Sequence, residues 1–334
     1  LAIFHRSTVF FTKETNEIIE GILEKIQKQS TMAQQNVCHA FSQIKLLFQL
    51  HSEKTPRIDT SSTFESSKEF VQLFIGRIIE CSENPKSLVK ELSLSLLQIQ
   101  SSLYCGLNAH DLLRRPHVDS APLKKDLIYK IFNHIAFHLV VDSILHEKSL
   151  EGRVRLIKFY YATIDKCCSY GDITSAWAIF AGLEHSSVSR LKNSFETAEM
   201  DKYTHETKVR MEELFSPLHN CINIRNYIEA KRKNGYPLIP PLSLFSKDIT
   251  HIEENSPIVP FGGLVSYNYA KLEQVQELIA RYLEFQGNDR KFIKRKLAGM
   301  SEDNPFLPYF MGNFSEDDAD ALDALSYALE PKRS

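Results

Sequence analysis

Apolar residues recur at three- and four-residue spacing through most of this chain, and glycine is scarce, 12 in 334 residues. That spacing lines one face of an α-helix, so long runs of it with few glycines between them predict an all-α fold. The first such runs cover 12–28, with Ile18, Ile19, Ile22, Leu23 and Ile26 on one face, and 33–50, with Val37, Phe41, Ile44 and Leu47. The polar stretch 51–67 reads as a loop or linker, and a helix is expected over 70–81. The break Ser82-Glu83-Asn84-Pro85 places a domain boundary near residue 86. Longer helices are expected over 90–107, 126–147 and 153–169, followed by 173–183, 204–214 and 221–233. The segment 173–183 is apolar nearly all round (Ala176, Trp177, Ala178, Ile179, Phe180), which assigns it to the centre of a domain. An acidic run from Glu316 to Asp323 precedes a last short helix over 324–329.

Composition then narrows the function classes. A formal charge of −2 argues against a general nucleic-acid binder, which is usually strongly basic. Six scattered cysteines with no CxxC pair read as free thiols in a reducing compartment, not as a disulfide framework. No apolar run approaches the roughly 18 residues that a membrane span needs. The start at Leu1 suggests a piece of a longer protein. Phosphate-binding GxxxxGK[ST] and GxGxxG loops are absent, as are HExxH and EF-hand spacings. Cys167-Cys168 reads as buried thiols on a core helix, so neither a metal nor a cofactor is expected. No nucleophile, base and orienting group stand together, so the expected function involves no bond-making chemistry.

One stretch, 237–286, is built differently. A proline-rich apolar lead (Leu238, Ile239, Pro240, Pro241, Leu242) runs into a short amphipathic helix over 246–254 that ends in Glu253 and Glu254. A turn at Asn255-Ser256-Pro257 and a loop with Pro260, Gly262 and Gly263 follow. A second helix then carries Leu272, Val275, Ile279 and Tyr282 on one face. A helix held between breaker clusters, with acids at its end, is suited to projecting outward. By periodicity alone, Glu253-Glu254 is a helix-end acidic pair and Arg190 a solvated charge.

Two segments carry a resemblance that changes this reading. Residues 149–195 include Arg153, Ile157, Phe159, Cys167, Ser175, Ala178, Ile179, Gly182, Leu183, Val188, Arg190 and Leu191. They resemble the catalytic domain of Ras-family guanine-nucleotide exchange factors, with its "xxAIxxGL" helix and "VxRL" loop. IPPLSLFSKDITHIEEN is similar to that family's "VPFLGxYLxDLTxIEEGN", sharing Pro240, Asp248, Thr250, Ile252, Glu253 and Glu254. Asn268, Tyr269, Lys271, Glu277 and Gln286 match the helix that follows there. The matches run in collinear order over about residues 90–287.

The resemblance implies an all-helical catalytic domain over 87–300 with a protruding helical hairpin. A smaller helical module over 1–86, which often buttresses the hairpin in the family, precedes it, and a tail with a short helix spans 301–334. It implies a Ras-like small GTPase as partner, bound tightest when nucleotide-free, and an exchange factor rather than a classical enzyme. Carried over, Glu254 faces the GTPase phosphate-binding loop, and Thr250 and Asp248 pack in the wedge or cap it. Arg190 faces the mobile switch II segment; Val188, Lys247, Ile249, Pro241 and Asn268 are the other expected GTPase contacts. Departures stand at Pro241-Leu242-Ser243, which lacks an aromatic and a glycine, and at Asp172-Ile173, where "NF" is usual. The first of these is where partner choice is expected to be decided. The rival reading keeps the fold as a non-catalytic GTPase-binding scaffold or effector module; a plain helical scaffold is a third. Basic clusters at Lys231-Arg232-Lys233 and over 290–296 read first as solvated faces, with an anionic membrane surface as the alternative that would make it a further partner. The expected place is the cytoplasm, peripheral at membranes, or the host cytosol if the source is bacterial.

Overall fold

A computed structural model describes residues 64–81, 85–113, 124–255, 260–261, 264–265, 268–286, 293, 295–298, 304–312 and 319–331. The helices expected over 12–28 and 33–50 lie outside them. The described chain is helical, apart from a two-residue antiparallel ribbon in which β1 (Pro260–Phe261) pairs with β2 (Leu264–Val265). The all-α expectation holds. The chain divides into two compact units, one of Leu1–Glu53 with Lys247–Ala280, the other of Lys54–Ser246 with Arg281–Ser334.

In the larger unit, α1 (Phe64–Glu80), α2 (Lys86–Cys105) and α3 (Ala109–Leu113) come first. Phe64 to Ser67, read as loop from the sequence, open α1 instead. On this helix Phe74 meets Phe159 and Phe306 edge-on, at 6.1 and 5.1 Å. Next, α4 (Lys124–His134), a π-helical segment Ile135–Val141 and α5 (Asp142–His146) form one continuous 23-residue helix. By length and composition this helix is apolar enough to cross a membrane, unlike the expectation from the sequence. Its apolar face, however, is spent on the core: Ile131, Ile135, Leu139, Val140, Val141 and Ile144 are all buried. α7 (Ile173–Leu183) packs on the π segment, with Gly182 against Ala136 and Val140. A Cβ at Gly182 would stand 2.5 Å from the Ala136 carbonyl, so only glycine permits that approach.

α6 (Leu150–Tyr170) and α7 form the centre, as the apolar pattern of 173–183 predicts. Ile173, Ala176, Ala178, Ile179 and Leu183 are buried, and Trp177 stacks on Phe215. Ser149 caps α6 by accepting from the Gly152 N–H, and Asp172 caps α7 by accepting from Ser175 N–H. Between them Gly171 takes a left-handed φ of 81°, ending α6. Cys167 is buried and its thiol is pushed up by desolvation. Cys81, Cys105, Cys168 and Cys221 are also unbridged, and Cys38 lies outside the described residues.

The rest of the unit is laid around this pair. α8 (Ser186–Ser189), α9 (Lys192–Glu199) and α10 (Lys202–Leu214) follow, then α11 (Leu218–Lys233). His219, Asn220 and Cys221 near the start of α11 are left-handed, a turn that the periodicity does not predict. α12 (Leu242–Asn255) passes from this unit into the smaller one at Lys247 and α13 (Tyr269–Leu283) returns from it at Arg281, the two arms of the hairpin, with the β1–β2 ribbon between them in the chain. α14 (Leu307–Met311) and α15 (Ala319–Leu329) close the described chain. α15 begins five residues before the sequence suggests, because Leu322 is already a core residue.

Candidate functional site

The segment that leads into α12 is held by the turn between α6 and α7. Ile239 N–H donates to the Gly171 carbonyl at 2.7 Å, forming a parallel bridge beside Asp172. The Thr174 hydroxyl donates to the Ile239 carbonyl at 3.3 Å. A Cβ on Gly171 would lie 2.4 Å from the Pro237 carbonyl, so the close approach depends on that glycine. The two stretches that carry the resemblance therefore meet here. Asp172, fully buried, has its pKa pushed up to about 6, chiefly by desolvation, although Ser175 N–H opposes the shift.

Beyond the bridge, Leu238 to Leu242 are buried, and Pro241 with them. The side chains around them fix the start of α12. The Phe245 and Tyr282 rings lie 4.9 Å apart, and Tyr282 donates its hydroxyl to the Pro240 carbonyl at 3.3 Å. Tyr129 and Ser246 hydroxyls share a hydrogen bond of 2.5 Å. Tyr104 donates to the Tyr282 carbonyl, and Gln286 Nε2 donates to the carbonyls of Tyr104 and Leu107. Pro241, expected as a partner contact, offers no such surface here: it is walled in where α12 begins. Of the departing trio 241–243, only Ser243 is exposed.

In the smaller unit, α12 shows one exposed stripe. Lys247, Thr250, His251 and Glu254 are all exposed at three- and four-residue spacing, while Asp248, Ile249, Ile252 and Glu253 are half-buried. The structure thus brings Lys247, Thr250 and Glu254 onto one face and adds His251, which no sequence argument singled out. The i, i+4 spacing from Lys247 to His251 is the signal that could have found it. Glu254 and Lys247 have no ion-pair partner among the described residues. Glu253, by contrast, accepts from Lys271 Nζ at its backbone carbonyl, at 3.2 Å. Asp248 does not cap its helix. α12 begins at Leu242, so Asp248 lies well inside the helix. Asn268 does cap a helix: its side-chain oxygen accepts from Lys271 N–H at 3.0 Å at the start of α13.

The remaining predicted contacts, in the larger unit, are engaged within the fold. Val188 is completely buried. Arg190 donates to Ser326 Oγ at 2.8 Å and to the Glu330 carbonyl at 2.7 Å, and its guanidinium lies 3.8 Å from the Tyr327 ring centre. As placed, Arg190 clamps α15 and does not hold its fork open to a partner. The sequence could not reveal this, because its acceptors stand some 140 residues away. The basic cluster at the end of α11 is similarly occupied. Arg232 pairs with Glu229 at 2.8 Å and Glu284 at 3.2 Å, and Lys231 lies over Tyr227 and Tyr236. That pairing holds the Glu229 carboxyl down to about 2. Residues 290–292 and 294 of the second cluster lie outside the described residues.

Helices packed around α6 and α7, a turn that bonds the lead into α12, and an exposed glutamate near the end of α12 are what the described residues offer. Residues 91–277 match the RasGEF domain, and the chain belongs to that family. Among curated relatives, Ras guanine nucleotide exchange factor D of Dictyostelium discoideum is 28% identical over 195 residues, 56% of this chain and 28% of that protein. Ras-specific guanine nucleotide-releasing factor 2 of Mus musculus is 23% identical over 201 residues, 60% of this chain and 16% of that protein. Ras-specific guanine nucleotide-releasing factor 1 of Homo sapiens is 26% identical over 157 residues, 47% of this chain and 12% of that protein. The chain thus spans less than a third of the length of each of these relatives.

Proposed function

We propose that this chain is a guanine-nucleotide exchange factor for a Ras-like small GTPase, acting through the exposed stripe of α12. The observation that carries the reading is the RasGEF match over 91–277, within which Glu254 stands exposed at the end of the first hairpin helix. A carboxylate brought against a magnesium and phosphate site repels the phosphates and competes for the donors that held them. Lys247, Thr250 and His251 supply a cationic and hydrogen-bonding surface along the same face, suited to steering and specificity.

No covalent step is involved. The exchange factor binds the nucleotide-free GTPase more tightly than the loaded one, and by linkage it must weaken nucleotide binding by the same factor. It does not distinguish GDP from GTP, so the cellular excess of GTP sets the direction of loading. An anionic membrane is a secondary partner in this reading, supported by Lys233 and by Arg295 and Lys296, which are exposed.

The test is release of fluorescent GDP from a panel of Ras, Rap, Ral, Rab and Arf-type GTPases. At least one is expected to release nucleotide faster with the chain present. Unchanged release from all of them would overturn the proposal, and co-elution with a GTPase without faster release would favour the scaffold reading.

A further inference from the structure

The turn that holds the lead into α12 contains a carboxyl group that the fold leaves half satisfied. Asp172 is completely buried. Its Oδ1 accepts from Ser175 N–H at 3.0 Å, while Oδ2 and the neighbouring Ser175 Oγ are buried with no hydrogen-bond partner among the described residues. The backbone of Asp172 pairs with Ile239 in the parallel bridge, where Ile239 N–H donates to the Gly171 carbonyl at 2.7 Å. The Thr174 hydroxyl donates to the Ile239 carbonyl at 3.3 Å. Both bonds that hold Ile239 therefore come from residues within two positions of the buried carboxyl. The lead over 237–242 and α7 itself carry no titratable side chain. On α6, Cys167 and Cys168 face Asp172, and burial pushes both thiols up. On α2, the uncharged Ser93 is buried beside Cys167, and Lys90 acts on Tyr170. Asp172 has no ion-pair partner among the described residues. A carboxyl so placed, with one hydrogen bond and no cation, favours its neutral form. Burial is the main cause that takes its pKa up to about 6, with Ser175 opposing.

We propose that protonated Asp172 fastens the lead to the α6–α7 turn and that ionised Asp172 loosens it, which makes the anchor of α12 sensitive to pH. In the closed turn Oδ2 has neither a donor nor water to carry a negative charge. Once the lead lifts away, water reaches the carboxylate and solvates it. The closed turn thus binds the proton more tightly than the open one, so protons favour closure by linkage. That contribution is complete below pH 3.8 and is lost as pH rises through about 6. Between pH 5 and pH 7 the opening equilibrium of the lead rises by about tenfold on these two values. The anchor is a property of the chain alone and stands or falls apart from the exchange reading.

Hydrogen exchange of the Ile239 amide in the full chain, corrected for the pH dependence of intrinsic exchange, reads the opening. Its protection is expected to fall about tenfold from pH 5 to pH 7 in the parent and to stay level in Asp172→Asn, which keeps the cap and cannot ionise. At low urea the Ile239 protection should depend on denaturant less than that of the core amide of Ile179, the mark of a local opening. Equal urea dependence places the pH effect in global unfolding and overturns the proposal. So does parent protection that is level with pH, or a fall of the same size in Asp172→Asn. A 13C titration of the Asp172 carboxyl in the parent needs no variant: a midpoint near pH 6 is expected, and one near the ordinary 3.8 overturns the proposal even if Asp172→Asn does not fold.

Discussion

Replacing Glu330 with alanine should destabilise the larger unit by about 3 kcal/mol, although the residue lies only four positions from the end of the sequence. Its carboxylate is 7% exposed and pairs with Arg153, itself 3% exposed, at 3.6 Å. It also accepts from Ser194 Oγ at 2.6 Å, Ser194 N–H at 3.1 Å and Asn193 N–H at 2.9 Å. Those two N–H groups belong to the first turn of α9, whose own N-cap residue, Leu191, offers no side-chain bond. Glu330 therefore caps α9 from outside the helix, where a negative charge is favoured. Breaking a buried ion pair costs about 3–5 kcal/mol. Arg153 keeps its bonds to Ser194 Oγ and to the Glu147 and Lys148 carbonyls, which places the loss at the lower end. For a domain of this size that is a fall of roughly 6–12 °C in Tm. Urea unfolding followed by the single tryptophan, Trp177, stacked on Phe215 in the core, reads the loss directly. Arg153→Met with Glu330→Leu should cost less than Glu330→Ala alone, because no buried charge is left unpaired. A loss under about 1 kcal/mol in Glu330→Ala, or a double variant worse than the single, would refute the argument.

Asp172→Asn should stabilise the chain near neutral pH. With its pKa pushed up to about 6 from 3.8, Asp172 favours folding only while protonated. That contribution is full below pH 3.8 and is lost as pH rises through about 6, a difference of about 3 kcal/mol. Asparagine caps equally well, so the variant's advantage should grow between pH 4 and 7, and stability curves across that range check it. Gly171→Ala should cost about 3 kcal/mol, from the left-handed backbone and the clash with the Pro237 carbonyl, and thermal unfolding measures it. Glu254→Ala should slow nucleotide release on the responsive GTPase about tenfold or more while leaving the melting temperature unchanged, since the side chain is exposed.

Several of these features were legible in the sequence because they depend on neighbours in the chain. The 3.6-residue pattern located 173–183 to the residue and α10 to within two, since a helix and its apolar face are local properties. Glu254 was legible as a helix-end acid, and the resemblance distinguished it from Glu253. The structure adds a difference in surroundings: Glu253 is half-buried, its carbonyl bonded to Lys271, and Glu254 is exposed. Boundaries such as Phe64 and Ala319 were missed because tertiary burial, of Ser67 and of Leu322, extends helices past their polar-looking starts.

What only the tertiary structure decided is which polar residues are used internally. Arg190 and Glu330 look solvated in one dimension, yet their partners lie some 140 residues away, and no local pattern encodes such a pairing. Pro241 and Val188 were read from the resemblance as contacts, but burial depends on what packs over a residue, and both are covered. The sequence by itself determined that the chain is helical, which face of each long helix is apolar, and where the hairpin breaks. Those follow from spacing and from proline and glycine geometry. The exposure of Lys247, Thr250, His251 and Glu254 and the grip of Gly171 on the hairpin lead belong to the folded chain. What covers a helix face, and which distant backbone groups come within 2.7 Å as those of Gly171 and Ile239 do, is set by packing and not by neighbours in the chain.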